Sequence, residues 1–165
     1  MPSNTNPYSR FLGDQDPLQV IAKTPERLKE LFNTLGMDGQ DKSYAPGKWS
    51  ARELMCHLAD CEIAFAFRLR QTLAEPEHMI QPFDQELWAK RYAHLDATAA
   101  LTTFVALRNW NIAMLNALSP DDFNIAVSHP ERGRMTFRTI VETMGGHDLN
   151  HLAQLESIAA GATSK

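Results

Sequence analysis

The chain has 165 residues, of which 44% are hydrophobic and 22% charged, and its formal net charge is -4. This length supports one hydrophobic core, so we predict a single domain over residues 1–165 with residues 1–15 as an N-terminal extension. The negative charge argues against a nucleic-acid partner, because affinity for a phosphate backbone comes mainly from clustered Lys and Arg.

The hydrophobic residues are dispersed along the chain. No apolar run approaches the roughly 20 residues that a membrane-spanning helix needs. The first residues, MPSNTNPYSRFLGDQ, lack the apolar segment of a secretory signal. We therefore expect a cytoplasmic protein without a membrane partner.

Four long segments carry the spacing of amphipathic helices. The first runs from about Pro17 to Leu35, with apolar residues at steps of three and four. Pro25 lies within it, and a proline inside a helix removes one backbone hydrogen bond. We expect a kink at Pro25, or a new helix that begins there with Thr24 as its cap.

The second helix begins at a capping box formed by Ser50 and Glu53, whose side chains satisfy each other's backbone amides. We expect it to continue to about Leu73. The connection 76–95 contains a short helix that begins at Asp84. A connection of this length in a compact domain usually has a function, so we predict that this segment is a lid over a binding site.

The third long helix is predicted from about Asp96 to Leu118. Its inward stripe consists of Leu101, Phe104, Leu107, Asn111, Met114 and Leu118. In the loop that follows, the stretch 124–128 favours an extended conformation, and we expect it to have no partner strand.

The fourth helix is predicted from about Thr136 to Ala160. Its inward stripe consists of Phe137, Ile140, Met144, His147, His151, Leu155 and Ile158. Four amphipathic helices, with one long crossover between the second and the third, predict an all-α fold, the four-helix bundle.

Two of the inward residues of the fourth helix are His147 and His151. Residues four apart stack one turn above another, so both rings can aim a nitrogen at one point. The alternative is that each is a buried polar side chain with its own hydrogen-bond partner. His57 of the second helix also turns toward the core. Because buried imidazoles need partners and one divalent cation accepts all three lone pairs, we predict these three residues as metal ligands.

Three neutral ligands leave coordination positions free, which is typical of a reactive centre, and imidazole favours zinc or nickel. Asp60 and Asp148 are candidate acceptors for the ligand N–H groups, or else solvated surface acids. Together with Glu62 they are also the candidate catalytic proton acceptors, and the sequence does not decide among the three. Cys61 is expected to pack as a buried thiol. An inward Arg68 would recognise an anionic substrate, whereas an outward one would stabilise the end of its helix.

Three segments in combination resemble the DinB-like (DNA-damage-inducible) superfamily, which includes the YfiT-like proteins and the bacillithiol- and mycothiol-dependent transferases. They are PGKWSARELMCHLADCE at 46–62, an HP and a G at His129, Pro130 and Gly133, and GGHDLNHLAQLE at 145–156. The likeness covers about residues 15–160. It implies an up-down-down-up bundle, a divalent metal held by His57, His147 and His151, and often a homodimer. FDQELWA at 83–89 resembles the segment that many members place over the metal.

The resemblance and the three histidines together predict a metal-dependent enzyme, either a thiol S-transferase or a hydrolase. The cation would bind a thiol or a water and lower its pKa. The transferases of the family favour a small-molecule substrate that is a low-molecular-weight thiol. The competing hypothesis is a noncatalytic bundle that binds a metal or a small ligand and takes part in a stress response.

Overall fold

The computed structural model describes residues 5–163, and the side chains as far as residue 161. Its helices are α1 Ser9–Leu12, α2 Pro17–Gly39, α3 Ala51–Ala74, α4 Gln85–Ala89, α5 Ala97–Leu115 and α6 Phe137–Thr163, and its strands are β1 Ala126–His129 and β2 Gly133–Thr136. Short 3-10 turns form at Tyr92–His94 and Pro120–Asn124. The predicted four-helix bundle is confirmed, with α2, α3, α5 and α6 as its long helices. None of the described helices is long and apolar enough to cross a membrane.

The directions of the long helices follow from the order of their contacts. Two pairs of helices run parallel. For α2 and α6, the contacts in chain order are Pro17 with Gly145 and Arg27 with Glu156. For α3 and α5, they are Glu62 with Arg108 and Arg70 with Asn111. Contacts between α3 and α6 come in the reverse order, His57 with His151 and Phe65 with His147. The helices therefore run up, down, down and up. Two parallel helices in succession need a long crossover, which the segment between α3 and α5 provides.

The capping box at the start of α3 forms as the sequence predicts. The Glu53 amide donates to the Ser50 hydroxyl at 3.2 Å, and the Ser50 amide donates to the Glu53 carboxylate at 2.7 Å. These two bonds satisfy amides that the helix itself leaves without partners. The start of the helix that carries His57 is therefore set by local sequence.

No new helix begins at Pro25, so that alternative is wrong: the backbone of α2 continues through this residue, and a bend of its axis there stays a prediction. The non-helical backbone within α2 lies at Gly36, where φ is 58°. Pro25 has no N–H to donate to the carbonyl of Ile21, four residues earlier. That carbonyl instead accepts a hydrogen bond from Arg108 Nη1 at 3.1 Å. A side chain from α5 thus replaces the backbone bond that the proline removes.

The expectation that the extended stretch after α5 has no partner strand is also wrong. β1 pairs antiparallel with β2, with Ala126 opposite Thr136. Ser128 also exchanges backbone hydrogen bonds with the crossover, because its N–H donates to the His78 carbonyl and its carbonyl accepts from Ile80. These strands are only four residues long. The hydrogen bonds of Ser128 with His78 and Ile80 join the crossover to this strand pair at the end of the bundle.

A buried polar layer lies where the two apolar clusters of the core meet, and Arg108 of α5 organises it. Its guanidinium donates to both carboxylate oxygens of Glu62 on α3, at 2.9 and 2.8 Å, and to Asp148 on α6. Burial alone lowers the pKa of an arginine, but the charges of Asp148 and Glu62 raise the Arg108 pKa above its ordinary value. Because Arg108 also bonds to the Ile21 carbonyl of α2, this one side chain links α5 to the other three long helices.

We expect Arg108→Ala to lower the free energy of unfolding by about 3–5 kcal/mol, because it leaves two carboxylates buried without their cation. Urea unfolding followed by circular dichroism measures the change. Arg27→Ala is the matched control, since Arg27 pairs with Glu156 on the surface, and such pairs contribute no more than about 1 kcal/mol. Equal losses in the two variants would show that the buried pairs carry no special weight.

Candidate metal centre

All three predicted ligand residues meet at the interface between α3 and α6. One ring nitrogen from each of His57, His147 and His151 lies within 4.8 Å of the other two. The Nε2 atoms of His57 and His147 are 3.1 Å apart. Because α6 presents residues four apart on one face, both of its imidazoles point toward α3.

The three imidazoles are buried, and burial is the main reason that each has a lowered pKa. Burial and the neighbouring His151 lower the pKa of His57 to about 3. Burial, the other two imidazoles and Arg108 lower the pKa of His147 well below its ordinary value. The cluster is therefore neutral near pH 7, the protonation state that metal ligation requires.

One nitrogen of this cluster has no hydrogen-bond partner among residues 5–161. His151 Nε2 is buried without a hydrogen bond, while Nδ1 of the same ring bonds to Gln154 Oε1 at 2.8 Å. Since that amide oxygen can only accept, Nδ1 carries the proton and Nε2 carries the lone pair. An unsatisfied buried polar atom costs about 1–3 kcal/mol, and a cation would remove that cost.

The spacing of the ring nitrogens also fits one cation. Two nitrogens that each lie about 2.0–2.1 Å from a tetrahedral zinc ion are separated by about 3.3 Å, close to the distance between His57 Nε2 and His147 Nε2. The donor set of three imidazoles suits zinc or nickel. The residues present therefore fit a divalent metal ion.

Aromatic rings surround the histidines. The Trp49 ring lies 4.7 Å from the His57 ring, and the Phe65 and Tyr8 rings lie 5.7 and 5.2 Å from the His147 ring, all between centroids. These rings pack against the imidazoles, which are buried from bulk water. A rigid, poorly hydrated setting strengthens electrostatic interactions at the site.

The three candidate proton acceptors have different surroundings. Glu62 and Asp148 are both buried and paired with Arg108, so their carboxylates are already engaged. Asp60 is half-buried and accepts a hydrogen bond from the Tyr92 hydroxyl at 2.7 Å. Among the described residues, no hydrogen bond joins any of the three to a ligand ring. Their role in catalysis stays a prediction.

The acceptor that does bond a ligand ring is Gln154, which the sequence analysis missed. Its position three residues after His151 on the same helix was an available signal, because residues three apart are neighbours on a helix surface. Cys61 is a buried thiol, as predicted, with its Sγ 3.4 Å from His57 Nε2. Burial raises the pKa of Cys61 far above its ordinary value, so it remains a protonated thiol.

The N-terminal extension forms one wall of the site, which the sequence analysis did not anticipate. Helix α1 packs against α6, and Tyr8 stands edge-on to the ring of His147. A Cβ atom on Gly146 would lie 2.5 Å from the Tyr8 carbonyl oxygen. Glycine at position 146 therefore allows the extension to approach α6 beside the histidines.

Two cavities reach the histidine cluster from different sides. One, of about 390 Å³, reaches His147, and the other, of about 280 Å³, reaches His151. Gln85, the first residue of α4, lines both. The predicted lid segment at 83–89 thus lies beside the site, between its two approaches. Whether it opens and closes stays a prediction.

The fold and the site define a class of protein, an up-down-down-up four-helix bundle with three buried histidines arranged as metal ligands. The family model of the DinB superfamily matches residues 21–155, and the chain belongs to that superfamily.

Named relatives agree with this assignment. The protein named "Putative metal-dependent hydrolase OB0782" from Oceanobacillus iheyensis is 30% identical over 142 residues, which is 86% of this chain and 83% of that protein. "Putative metal-dependent hydrolase YfiT" from Bacillus subtilis is 24% identical over 145 residues, 86% of this chain and 82% of its own. A solved structure of YfiT, titled "a probable metal-dependent hydrolase with an unusual four-helix bundle topology", superimposes with a TM-score of 0.81 at 24% identity. The superposition covers 88% of this chain and 85% of the YfiT chain.

We expect the metal-free protein to lose stability as the pH falls below 6.5, the ordinary pKa of histidine. Because the folded state lowers these pKa values, the unfolded chain binds more protons in acid. The stability is therefore fully present above pH 6.5 and is lost as the pH falls toward about 3. Urea unfolding of chelator-treated protein at a series of pH values measures this loss.

The contribution of one imidazole is isolated by substitution. His57→Gln should make the loss of stability in acid shallower than in the wild type, whereas His94→Gln replaces an exposed imidazole and serves as the control. If the wild type and His57→Gln lost stability with the same pH dependence, burial of His57 would not be the cause.

We expect Gly146→Ala to displace the N-terminal extension, because the new Cβ would collide with the Tyr8 backbone. Tryptic cleavage after Arg10 should become faster, and mass spectrometry of timed digests measures it. Gly161→Ala, on the same helix, meets open space and should leave this cleavage unchanged. Identical cleavage rates in both variants would mean that the extension does not depend on the close approach.

Proposed function

We propose that this protein is a metal-dependent enzyme whose single divalent cation is held by His57, His147 and His151. The observation that carries the proposal is the convergence of three buried, neutral imidazoles around the unpartnered Nε2 atom of His151. If the three histidines were unrelated buried side chains, each of their polar nitrogens would need a partner from the protein, and the Nε2 atom of His151 has none among the described residues. The names of the relatives support the same metal dependence.

When bound, a cation with three neutral ligands supplies a Lewis acid that lowers the pKa of a coordinated water or thiol. The residues of the chain prepare the site for this chemistry. Burial keeps the imidazoles deprotonated, and Gln154 fixes the tautomer of His151. Trp49, Phe65 and Tyr8 limit access of bulk water to the rings.

The two cavities favour a reaction with two organic partners, a thiol S-transferase. One cavity reaches His147 and the other reaches His151, so a low-molecular-weight thiol and an electrophile can approach the same centre from different sides. A hydrolase needs one organic pocket and water, and the names of the relatives support that alternative. The resemblance to thiol-dependent transferases supports the first. Homodimer formation and a cytoplasmic location stay predictions.

The test of the metal site is elemental analysis of untagged wild-type protein, which should contain about one zinc or nickel ion per chain. His151→Ala should lose this stoichiometric metal, because it removes one of three ligands. Gln154→Ala should weaken metal binding by about 10–100-fold, as expected for the partner of a ligand. His94→Gln is the control and should keep the metal. Wild-type protein that takes up no stoichiometric metal on reconstitution would overturn the proposal.

The transferase and hydrolase versions are separated by activity assays on metal-loaded protein. A transferase should accelerate the reaction of monochlorobimane with a panel of small thiols, whereas a hydrolase should instead cleave nitrophenyl esters. His151→Ala should abolish either activity. Stoichiometric metal without turnover in both panels would favour the noncatalytic binding bundle.

A further inference from the structure

The larger of the two cavities contains two cationic side chains that the metal site does not use. Arg68 of α3 and Arg132 of the turn between β1 and β2 line the cavity together with His147. Burial, and then the positive charge of Arg132, lower the pKa of Arg68. Two cationic side chains therefore line one cavity, close enough for their charges to repel each other.

Neither guanidinium has a paired counter-charge in the part of the chain that the structure describes. No carboxylate among residues 5–161 lies within salt-bridge distance of Arg68 or Arg132. Arg68 donates a hydrogen bond to the Gln81 carbonyl at 3.4 Å and stands over the Phe83 ring at 5.6 Å from its centroid. These contacts orient the guanidinium toward the cavity, but they supply no compensating charge.

Two acidic residues also line this cavity, and neither pairs with the arginines. Asp84 Oδ1 accepts hydrogen bonds from the amides of Glu86 and Leu87, both at 3.0 Å, as the cap of α4. Glu131 is exposed. The two arginines thus line the cavity without a paired carboxylate among the described residues, which leaves their guanidinium groups available to an anion.

A third hydrogen-bonding side chain, the neutral ring of His129, lines the same cavity. His129 is 3% exposed, and its Nδ1 accepts a hydrogen bond from the Glu131 amide at 3.2 Å. The proton of this neutral ring therefore sits on Nε2. Burial and the charges of Arg132 and Arg68 lower the pKa of His129, which keeps the ring neutral. The wall offers hydrogen-bond donors from three side chains.

We propose that this cavity is a subsite for an oxyanion, a carboxylate or a phosphate, carried by the substrate, with Arg68 and Arg132 as its charge partners. Guanidinium groups bind both anions through paired, charge-assisted hydrogen bonds. The cavity volume of about 390 Å³ suits one small organic molecule, and Phe65, Phe83 and Tyr8 provide its apolar walls. The cavity lies next to His147, and its use as a substrate subsite rests on the proposed function. The subsite then defines the substrate class as a small organic anion.

The subsite is tested on chelator-treated full-length protein by isothermal titration calorimetry at low ionic strength. The probes are succinate, inorganic phosphate and the neutral analogue succinamide. Wild-type protein should bind at least one of the two anions and should not bind succinamide. Arg68→Gln should weaken anion binding at least about tenfold, the equivalent of one lost hydrogen bond to a charged group.

Two further variants make the result specific. Arg68→Lys, which keeps the charge, should bind with intermediate affinity, whereas Arg91→Gln removes an exposed arginine away from the cavity and should bind like the wild type. Circular dichroism confirms that each variant is folded. The inference is overturned if wild-type protein binds neither anion, or if Arg68→Gln and Arg91→Gln bind equally.

The outcome is independent of the metal site. His151→Ala should keep its affinity for the anion, because it changes a ring that does not line this cavity. Anion binding in protein that takes up no metal would support the subsite while overturning the proposed function. Metal binding without anion binding would overturn the subsite alone.

Discussion

The guanidinium of Arg108 is the contact on which the bundle depends. It pairs with Glu62 of α3 and Asp148 of α6, and it donates to the Ile21 carbonyl of α2 that Pro25 leaves free. Charges buried this deeply are costly to desolvate, and a planar fork with fixed donor directions compensates that cost only when its acceptors lie in the correct positions. We infer that the pairing favours one register of the four long helices over the alternatives.

That register also orients the histidines. Successive residues on a helix point about 100° apart, so when Asp148 faces Arg108 on α5, the adjacent His147 faces α3. His57 and His151 meet His147 there. The two polar groups of the core differ in one respect. The arginine and its carboxylates satisfy one another, whereas the imidazole cluster contains a nitrogen to which no described residue bonds. A buried group left unsatisfied beside a fully paired one is typical of a binding site.

The surroundings of the histidines come from parts of the chain that are distant in sequence. Tyr8 belongs to the N-terminal extension, Gln85 to the crossover and Arg132 to the strand turn, and all three line the cavity beside His147. The hydrogen bonds between β1 and the crossover hold these segments close to the bundle. A metal at the histidines and an anion at the arginines would then lie at adjacent parts of one pocket, which is how a small charged substrate can be both bound and activated.

The sequence by itself determined the four long helices and the shared face of His147 and His151, because both follow from local spacing. The convergence of His57 with them depends on how α3 packs against α6, and the sequence predicted it from the inward position of His57 and the family resemblance. A period of 3.6 residues shows which face is buried, and residues four apart share a face whatever they pack against. The start of α3 was equally predictable, since its capping box lies within four residues.

Only the tertiary structure decided that Arg108 is buried, that Tyr8 covers the site and that β1 has a partner. The predicted stripe of the third long helix placed Leu107 inward, where the structure buries Arg108. From the sequence alone, an arginine is expected on the surface. Arg108 can be buried only because carboxylates of two other helices and a carbonyl left free by a proline accept its hydrogen bonds. Those partners are 40 or more residues away along the chain. No local pattern records such contacts, because they depend on how the helices pack and not on how each one forms.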